Sequence, residues 1–248
     1  MDLWLLVSLL ALAGMSLLGY GLGALDVLGA GASFFLGLFI VLLPGAGLSW
    51  LLLLVAFTAL SFIATRLGYG RKKAIEAAEG ETGERGASNV MGNGAAAAFA
   101  ALATLMEPTL PHRAAQLAFA TAVAAVTADT LASEIGSLAR RARSILPPFA
   151  DVRVGANGGV SWPGQGAAAF GAIVIALLAV PLVGVPLGLA WIPAAAGFIG
   201  CQLDSVLGAS LEGERGPERK RPLSKQDVNF LASAIPAGLV LAAATLWT

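Results

Sequence analysis

The sequence predicts an all-α, polytopic transmembrane helix bundle of about eight spans, with cytoplasmic loops forming a polar site. Three observations predict it. Apolar residues make up 57% of the 248 positions and charged residues only 12%, about half the charged share of an average soluble domain. The apolar residues come in runs of about 20, the length that carries a helix across a ~30 Å hydrocarbon core. Basic residues collect in three polar stretches between those runs, the mark of loops held on one side of a membrane. Residues 1–248 read as one membrane domain. It has three spans over 1–65, a motif-bearing core over 66–229 and a last span over 230–248.

The first span is expected over 3–18. No basic region and small-residue cleavage site precede it, so it is expected to be retained rather than cut as a signal peptide. Gly19-Tyr20-Gly21-Leu22-Gly23 separates it from the second span, 24–43, and Pro44-Gly45-Ala46-Gly47 separates that from the third, 47–65. A polar loop with Arg66, Arg71, Lys72, Lys73 and Arg85 leads to the fourth, 88–106. Glu107-Pro108-Thr109-Leu110-Pro111 turns the chain into the fifth, 113–137. A second loop with Arg140, Arg141, Arg143 and Arg153 precedes the sixth, 167–184, and Val185-Pro186 breaks it from the seventh, 187–208. The third loop, with Arg215, Arg219, Lys220, Arg221 and Lys225, leads to the eighth, 228–246.

An eight-span path puts all three loops on one side, with every basic residue except Arg113. The positive-inside rule makes that side cytoplasmic and leaves both termini outside. An odd number of spans would divide the basic loops across the membrane. Trp4, Trp50, Trp191 and Trp247 then fall at outer span ends and Trp162 at an inner one, as aromatic belts require. Net charge is zero, so nothing pulls the chain toward nucleic acid. The single cysteine, Cys201, excludes a disulfide within the chain and reads as a packed thiol.

Three acids interrupt the apolar spans near their inner ends: Asp129 and Glu134 in the fifth, Asp204 in the seventh. A carboxylate at a helix centre in lipid costs roughly 2.5–3.5 kcal/mol, and such residues mark ion, proton or substrate sites. On an ideal helix Asp129 and Glu134 stand about 140° apart in rotation and ~7.5 Å in rise, so they do not share a face. Asp129 does share one with Ser133, and Thr130 with Glu134. Hard oxygen donors of this kind suit Mg²⁺ held together with substrate phosphates. The three acids are therefore candidate catalytic and metal-binding residues. A buried polar cluster that only pins helices together is the alternative.

Val154-Gly155-Ala156-Asn157-Gly158-Gly159-Val160-Ser161 sits on the same side. Its glycines permit close backbone approach, and consecutive amides in such a turn can cradle an anion. Asn157, Gly158, Gly159 and Ser161 are candidate phosphate ligands, with Ser161 a few residues before a helix start where the dipole favours phosphate. An ordinary turn is the plain alternative. Asn89 and Asn93, between glycines at the start of the fourth span, form a possible third polar lip. Lys72, Lys73, Arg143 and Ser205 complete the candidate phosphate or nucleotide ligands. Asp227 and Asn229 open the last span, where capping explains them. No P-loop or protein-kinase motif occurs. His112, the one histidine, falls on the outer side, away from the acids.

Taken together, these blocks resemble a known integral-membrane family that includes plant and cyanobacterial phytyl-phosphate kinases. Ala128-Asp129-Thr130-Leu131-Ala132-Ser133-Glu134-Ile135-Gly136 resembles its Ala-Asp-Thr-Trp-Ala-Ser-Glu-Ile-Gly signature. Val154 to Ser161 is similar to its Gly-Thr-Asn-Gly-Gly-Val-Ser block. Leu203-Asp204-Ser205-Val206-Leu207-Gly208-Ala209 is similar to a third block, and Asn89 to Gly94 to its Leu-Ala-Asn-Gly segment. This chain departs by Leu131 for Trp and Ala156 for Thr, the second of which removes a hydroxyl. The resemblance implies a membrane-embedded kinase that converts a prenyl monophosphate of phytyl or geranylgeranyl type to the diphosphate, using a nucleoside triphosphate and a divalent cation. Phosphate is already an oxyanion, so no general base is needed, and catalysis would rest on positioning and charge screening. Two other readings stay open: a cation-coupled transporter of a lipid or small anion, and a CDP-lipid-type nucleotidyltransferase.

Overall fold

The computed structural model describes residues 3–211 and 222–246. It is nearly all helical, a polytopic bundle as expected. Eight long helices follow the eight expected runs: α1 (Leu3–Gly21), α2 (Val27–Leu42), α3 (Gly47–Arg66), α5 (Ala87–Ala101), α6 (His112–Gly136), α7 (Trp162–Val183), α8 (Trp191–Leu211) and α9 (Lys225–Thr245). A short α4 (Tyr69–Ala74) follows α3, and a 3₁₀ turn, Leu102–Met106, extends α5. Six of the helices are long and apolar enough to cross a bilayer, while α1 and α2 are shorter apolar helices. With 16 residues, α2 is about 24 Å long, less than a typical hydrocarbon core. Among the described residues there are thus eight long helices, six of them long and apolar enough to span.

Helix ends follow local chemistry. The Asp26 side chain caps α2 by accepting from Gly29 N at 2.6 Å. Ser224 and Asp227 form a reciprocal capping box at the start of α9. Ser161, expected a few residues ahead of its helix, is itself the N-cap of α7 and accepts from Gly164 N. This starts α7 five residues before the expected span, because Pro163 in the first turn already has helical φ.

The buried axis is α6, against which α3, α5, α7, α8 and α9 all pack. Alanines dominate its surface, and glycines on its neighbours let the backbones close in. A Cβ at Gly171 of α7 would lie 2.8 Å from a Leu131 methyl, and one at Gly197 of α8 would lie 2.6 Å from Ala124 Cβ. Gly200 of α8 fits with equal closeness between Ala125 and the Ala232 carbonyl of α9. Trp50, expected in the outer aromatic belt, is buried and lies 4.7 Å from the Phe119 ring of α6. Its indole fills space that the small residues of α6 leave open. Trp162 and Trp191 are exposed. The Trp4 side chain and Trp247 lie outside the described residues, as do Arg215, Arg219, Lys220 and Arg221 of the third basic loop.

The second basic loop contains a small antiparallel sheet in the order β2-β1-β3, formed by β1 (Ala142–Ser144), β2 (Asp151–Val152) and β3 (Gly159–Val160). Arg143 pairs with Asp151 on one side and Val160 on the other. Strands this short escape a reading based on hydrophobic period. Polar contacts join the C-terminal ends of α3, α6 and α8 to the N-terminal ends of α5, α7 and α9 at one end of the bundle. His112 marks the other end, where its Nδ1 meets Glu107 at 2.6 Å.

Candidate functional site

The five-residue spacing on α6 sends Asp129 and Glu134 to different neighbours. Glu134 faces α3, α4 and α5. Its Oε1 accepts from Thr65 Oγ1 at 2.7 Å and lies 3.5 Å from Arg85 Nη2, and its Oε2 lies 2.5 Å from Lys72 Nζ. Lys72 is fully buried and also donates to Ala64 O at 2.8 Å and Thr65 O at 2.9 Å. Those carbonyls belong to the last turn of α3, where no helical N–H reaches them. One ammonium therefore closes the end of α3, favoured there by the helix dipole, and neutralises Glu134. Its three protons have three acceptors. Lys72 is thus neither solvated nor turned toward a ligand, and Glu134, expected as a third metal ligand, has both oxygens engaged although it borders one cleft together with Asp129.

Asp129 faces α8 and α9. It lines a narrow cleft with Asp204, Asn229, Ser233, Ala125, Val126 and Ala232. A second cleft is lined by Asp129, Glu134, Asn229, Glu79, Arg85, Asn89 and Lys225 among others. Asp129 and Asn229 border both clefts. In one orientation of its amide Asn229 donates to Asn93 Oδ1 at 2.9 Å; turned over, it donates to Asp204 Oδ2 at 3.2 Å and Lys225 O at 3.1 Å. Equivalent in shape, the two are told apart by their partners, and the turned amide is the one that donates to the carboxylate. Asn93 is buried and donates to Asn89 Oδ1 at 2.7 Å, which also accepts from Arg85 Nη1 at 3.0 Å. Arg85 is aimed by its backbone. Its N–H donates to Ala24 O and its carbonyl accepts from Asp26 N, so the turn between α1 and α2 holds it in place.

The other expected ligands lie elsewhere. Lys73 is exposed and donates to Glu81 O at 3.2 Å. Arg143 is exposed on the sheet, 3.4 Å from Asp151. Asn157 is exposed, and the Gly159 N–H is taken by Ala156 O at 2.9 Å. Gly158 has φ +70°, and a Cβ there would lie 2.3 Å from Ala209 Cβ and 2.8 Å from Ser205 O. The Asn157-Gly158-Gly159 turn therefore seats on α8 directly after Asp204. Ser161 caps α7 and lies 3.4 Å from Gly136 O at the end of α6. None of these residues borders the two clefts.

Thr65, Glu79, Arg85, Lys225 and Asn229 belong to this end of the bundle and escaped the sequence reading as ligands. A usable signal was present: Lys225 and Asn229, like Asn89 and Asn93, are four apart at the start of a helix and share a face.

The chain matches, over residues 10–237, the family model described as integral membrane protein DUF92. It belongs to that family. Within the DUF92 proteins it is 29% identical over 231 residues to "Uncharacterized membrane protein MJ0933" of Methanocaldococcus jannaschii, covering 93% of this chain and 90% of that one. It is 30% identical over 201 residues to "Uncharacterized membrane protein sll0875" of Synechocystis, covering 78% and 76%. No solved structure matches. For this DUF92 chain, an integral membrane protein, the geometry of the site carries the functional argument.

Proposed function

We propose that this protein is a membrane-embedded kinase that phosphorylates a prenyl monophosphate to the diphosphate with a nucleoside triphosphate. The observation that carries the proposal is the meeting of Asp129 and Asp204, from α6 and α8, with Asn229 of α9 in one cleft at the polar end of the bundle. This end bears the first two basic loops, which the positive-inside rule assigns to the cytoplasm, the compartment that supplies nucleotide. A lipid phosphate has its head at the same level when its tail lies in the bilayer. The resemblance of the acid-bearing blocks to phytyl-phosphate kinases selects the reaction.

The donor set fits Mg²⁺. Two carboxylates are hard ligands, and Mg²⁺ is commonly held by one or two carboxylates with substrate phosphates completing its shell. Among the described residues no cluster of three His, Cys, Asp or Glu side chains could hold a metal without such help. Asp129 and Asp204 are the residues that would hold it. When bound, the ion would screen charge between donor and acceptor phosphates. In the transfer, an oxygen of the prenyl phosphate attacks the γ-phosphorus, the bond to the β–γ bridging oxygen breaks, and the nucleoside diphosphate leaves. The step needs no proton acceptor, because the nucleophile is already an anion. The chain's contribution is to hold two anions in line and exclude water.

The test is product identity. Purified protein with prenyl monophosphates of several lengths, γ-labelled NTP and Mg²⁺ is expected to yield labelled prenyl diphosphate and NDP. A nucleotide-linked lipid with label in pyrophosphate would assign a nucleotidyltransferase instead. Net movement of a lipid or anion across proteoliposomes without chemical change would assign a transporter.

A further inference from the structure

Among the described residues, the cations that line the cleft at Asp129 are Arg85 and Lys225. They differ from Lys72, which is closed in on every side. Lys225 is 42% exposed and pairs with Glu79 Oε1, whose side chain is 25% exposed. Asn89 Nδ2 approaches the other Glu79 oxygen at 3.4 Å, and Asn89 in turn holds Arg85. The Glu79 carboxylate thus lies between donors from α5 and α9, Asn89 on one oxygen and Lys225 on the other. It comes from the irregular stretch between α4 and α5. Tyr69 Oη donates to the Glu79 and Gly80 carbonyls at 3.3 and 3.2 Å, so the side chain can rotate away while the backbone stays anchored.

We infer that Lys225, Asn89 and Arg85 form an anion subsite for a phosphate group, and that Glu79 fills it as an exchangeable internal counter-ion. Carboxylate and phosphate accept from the same donors, and phosphate offers more charge and a third oxygen. A partly exposed lysine–glutamate pair contributes little to stability, so an arriving phosphate displaces Glu79 at small cost. Lys225 is one helical turn from Asn229, which borders the Asp129–Asp204 cleft, so a phosphate on Lys225 sits beside the acids. Asp129 and Glu134 border the same cleft; Glu134 is neutralised by Lys72, and the repulsion of an anion by Asp129 is relieved by a cation on the Asp129–Asp204 pair. The subsite rests on the proposed function only in taking phosphate as the anion.

The experiment titrates inorganic pyrophosphate into the full-length protein in nanodiscs, with Mg²⁺ in every arm, by calorimetry. Lys225→Gln is expected to weaken binding about tenfold or more, the usual loss for a hydrogen bond to a charged group. Glu79→Gln, which removes the competitor but keeps a side chain of the same shape, is expected to tighten it about threefold to tenfold. Unchanged or weaker binding in Glu79→Gln overturns the inference, as does absence of pyrophosphate binding in the wild type. If Lys225→Gln does not fold, Lys225→Arg keeps the charge and is expected to bind within about threefold of wild type; a larger loss in that folded variant also counts against the subsite. A non-hydrolysable nucleoside triphosphate and dodecyl phosphate are titrated in parallel. The one whose affinity follows the Glu79 and Lys225 substitutions identifies the phosphate as nucleotide or lipid. Failure of γ-phosphoryl transfer with this pattern intact removes the kinase and leaves the subsite. Transfer without the pattern removes the subsite alone.

Discussion

Glu134 and Lys72 each depend on the other inside the bundle. Removing one member of such a pair leaves a buried charge alone and costs about 3–5 kcal/mol, whereas replacing both with apolar groups can be nearly neutral. Glu134→Gln or Lys72→Met is therefore expected to lower the thermal midpoint sharply in detergent, and the double variant Lys72→Met/Glu134→Leu to recover most of the loss. Asp129 and Asp204 belong to a different class of acid. Asp129→Asn and Asp204→Asn are expected to abolish γ-phosphoryl transfer while the melting midpoint stays near that of the wild type. Near-normal turnover in both variants would remove them from the chemistry. Glu84 shows a third role, outside the membrane-spanning helices. Hydrogen bonds from the Thr82 hydroxyl and from backbone amides, those of Glu81 and Thr82 among them, stabilise its charged form and lower its pKa to about 2. A carboxylate depressed in the folded state stabilises its turn above its ordinary pKa near 4.5 and loses that contribution as pH falls toward 2. A carbon-detected NMR titration of Glu84 is expected to show the carboxylate still ionised at pH 3. A midpoint near 4.5 would show that the turn does not hold it.

The placement of α8 depends on glycines at two points. Gly200 lets it approach α6 and α9, and Gly158 lets the loop turn sit on its last two turns. Gly158→Val puts a β-branched side chain at positive φ, a strain of about 1–3 kcal/mol, and drives it into Ser205 and Ala209. Because those residues follow Asp204 on the same helix, the variant is expected to raise the KM for the phosphate substrates more than it lowers stability. A stability loss with unchanged KM would make the turn a structural seat with no bearing on the site. Part of this element-level picture was legible in the chain. The Asn-Gly-Gly turn, its flanking arginines and the helix after it could all be read locally. Its contact with α8 could not, because a positive φ says where the backbone bends and not what it bends against.

At the scale of the whole molecule, the first two basic loops, Lys225 and the acid-bearing helix ends gather at one end of the bundle. If that end is cytoplasmic, as the charge bias requires, single cysteines at Ala78 and Ser144 in a Cys201→Ala background are expected to react with an impermeant thiol reagent only from the cytoplasmic side. Gly216, outside the described residues, is expected to behave in the same way. Labelling of any of the three from outside would overturn the one-sided site.

By itself the sequence determined the class of protein, the order of the long helices, and the placement of Asp129, Glu134 and Asp204 near helix ends of like direction. Those properties follow from hydropathy, turn residues and helical period, all local along the chain. Only the tertiary structure decided which acid is held by a buried lysine and which meets a second acid across a cleft. Thr65 and Glu134 meet across 69 positions, and Lys225 and Glu79 across 146. The 140° turn between Asp129 and Glu134 signalled that their partners must differ. Which partners they meet depends on the faces that five neighbouring helices present to α6. Glycines of α7 and α8 against α6 help set that choice, by how closely the backbones approach.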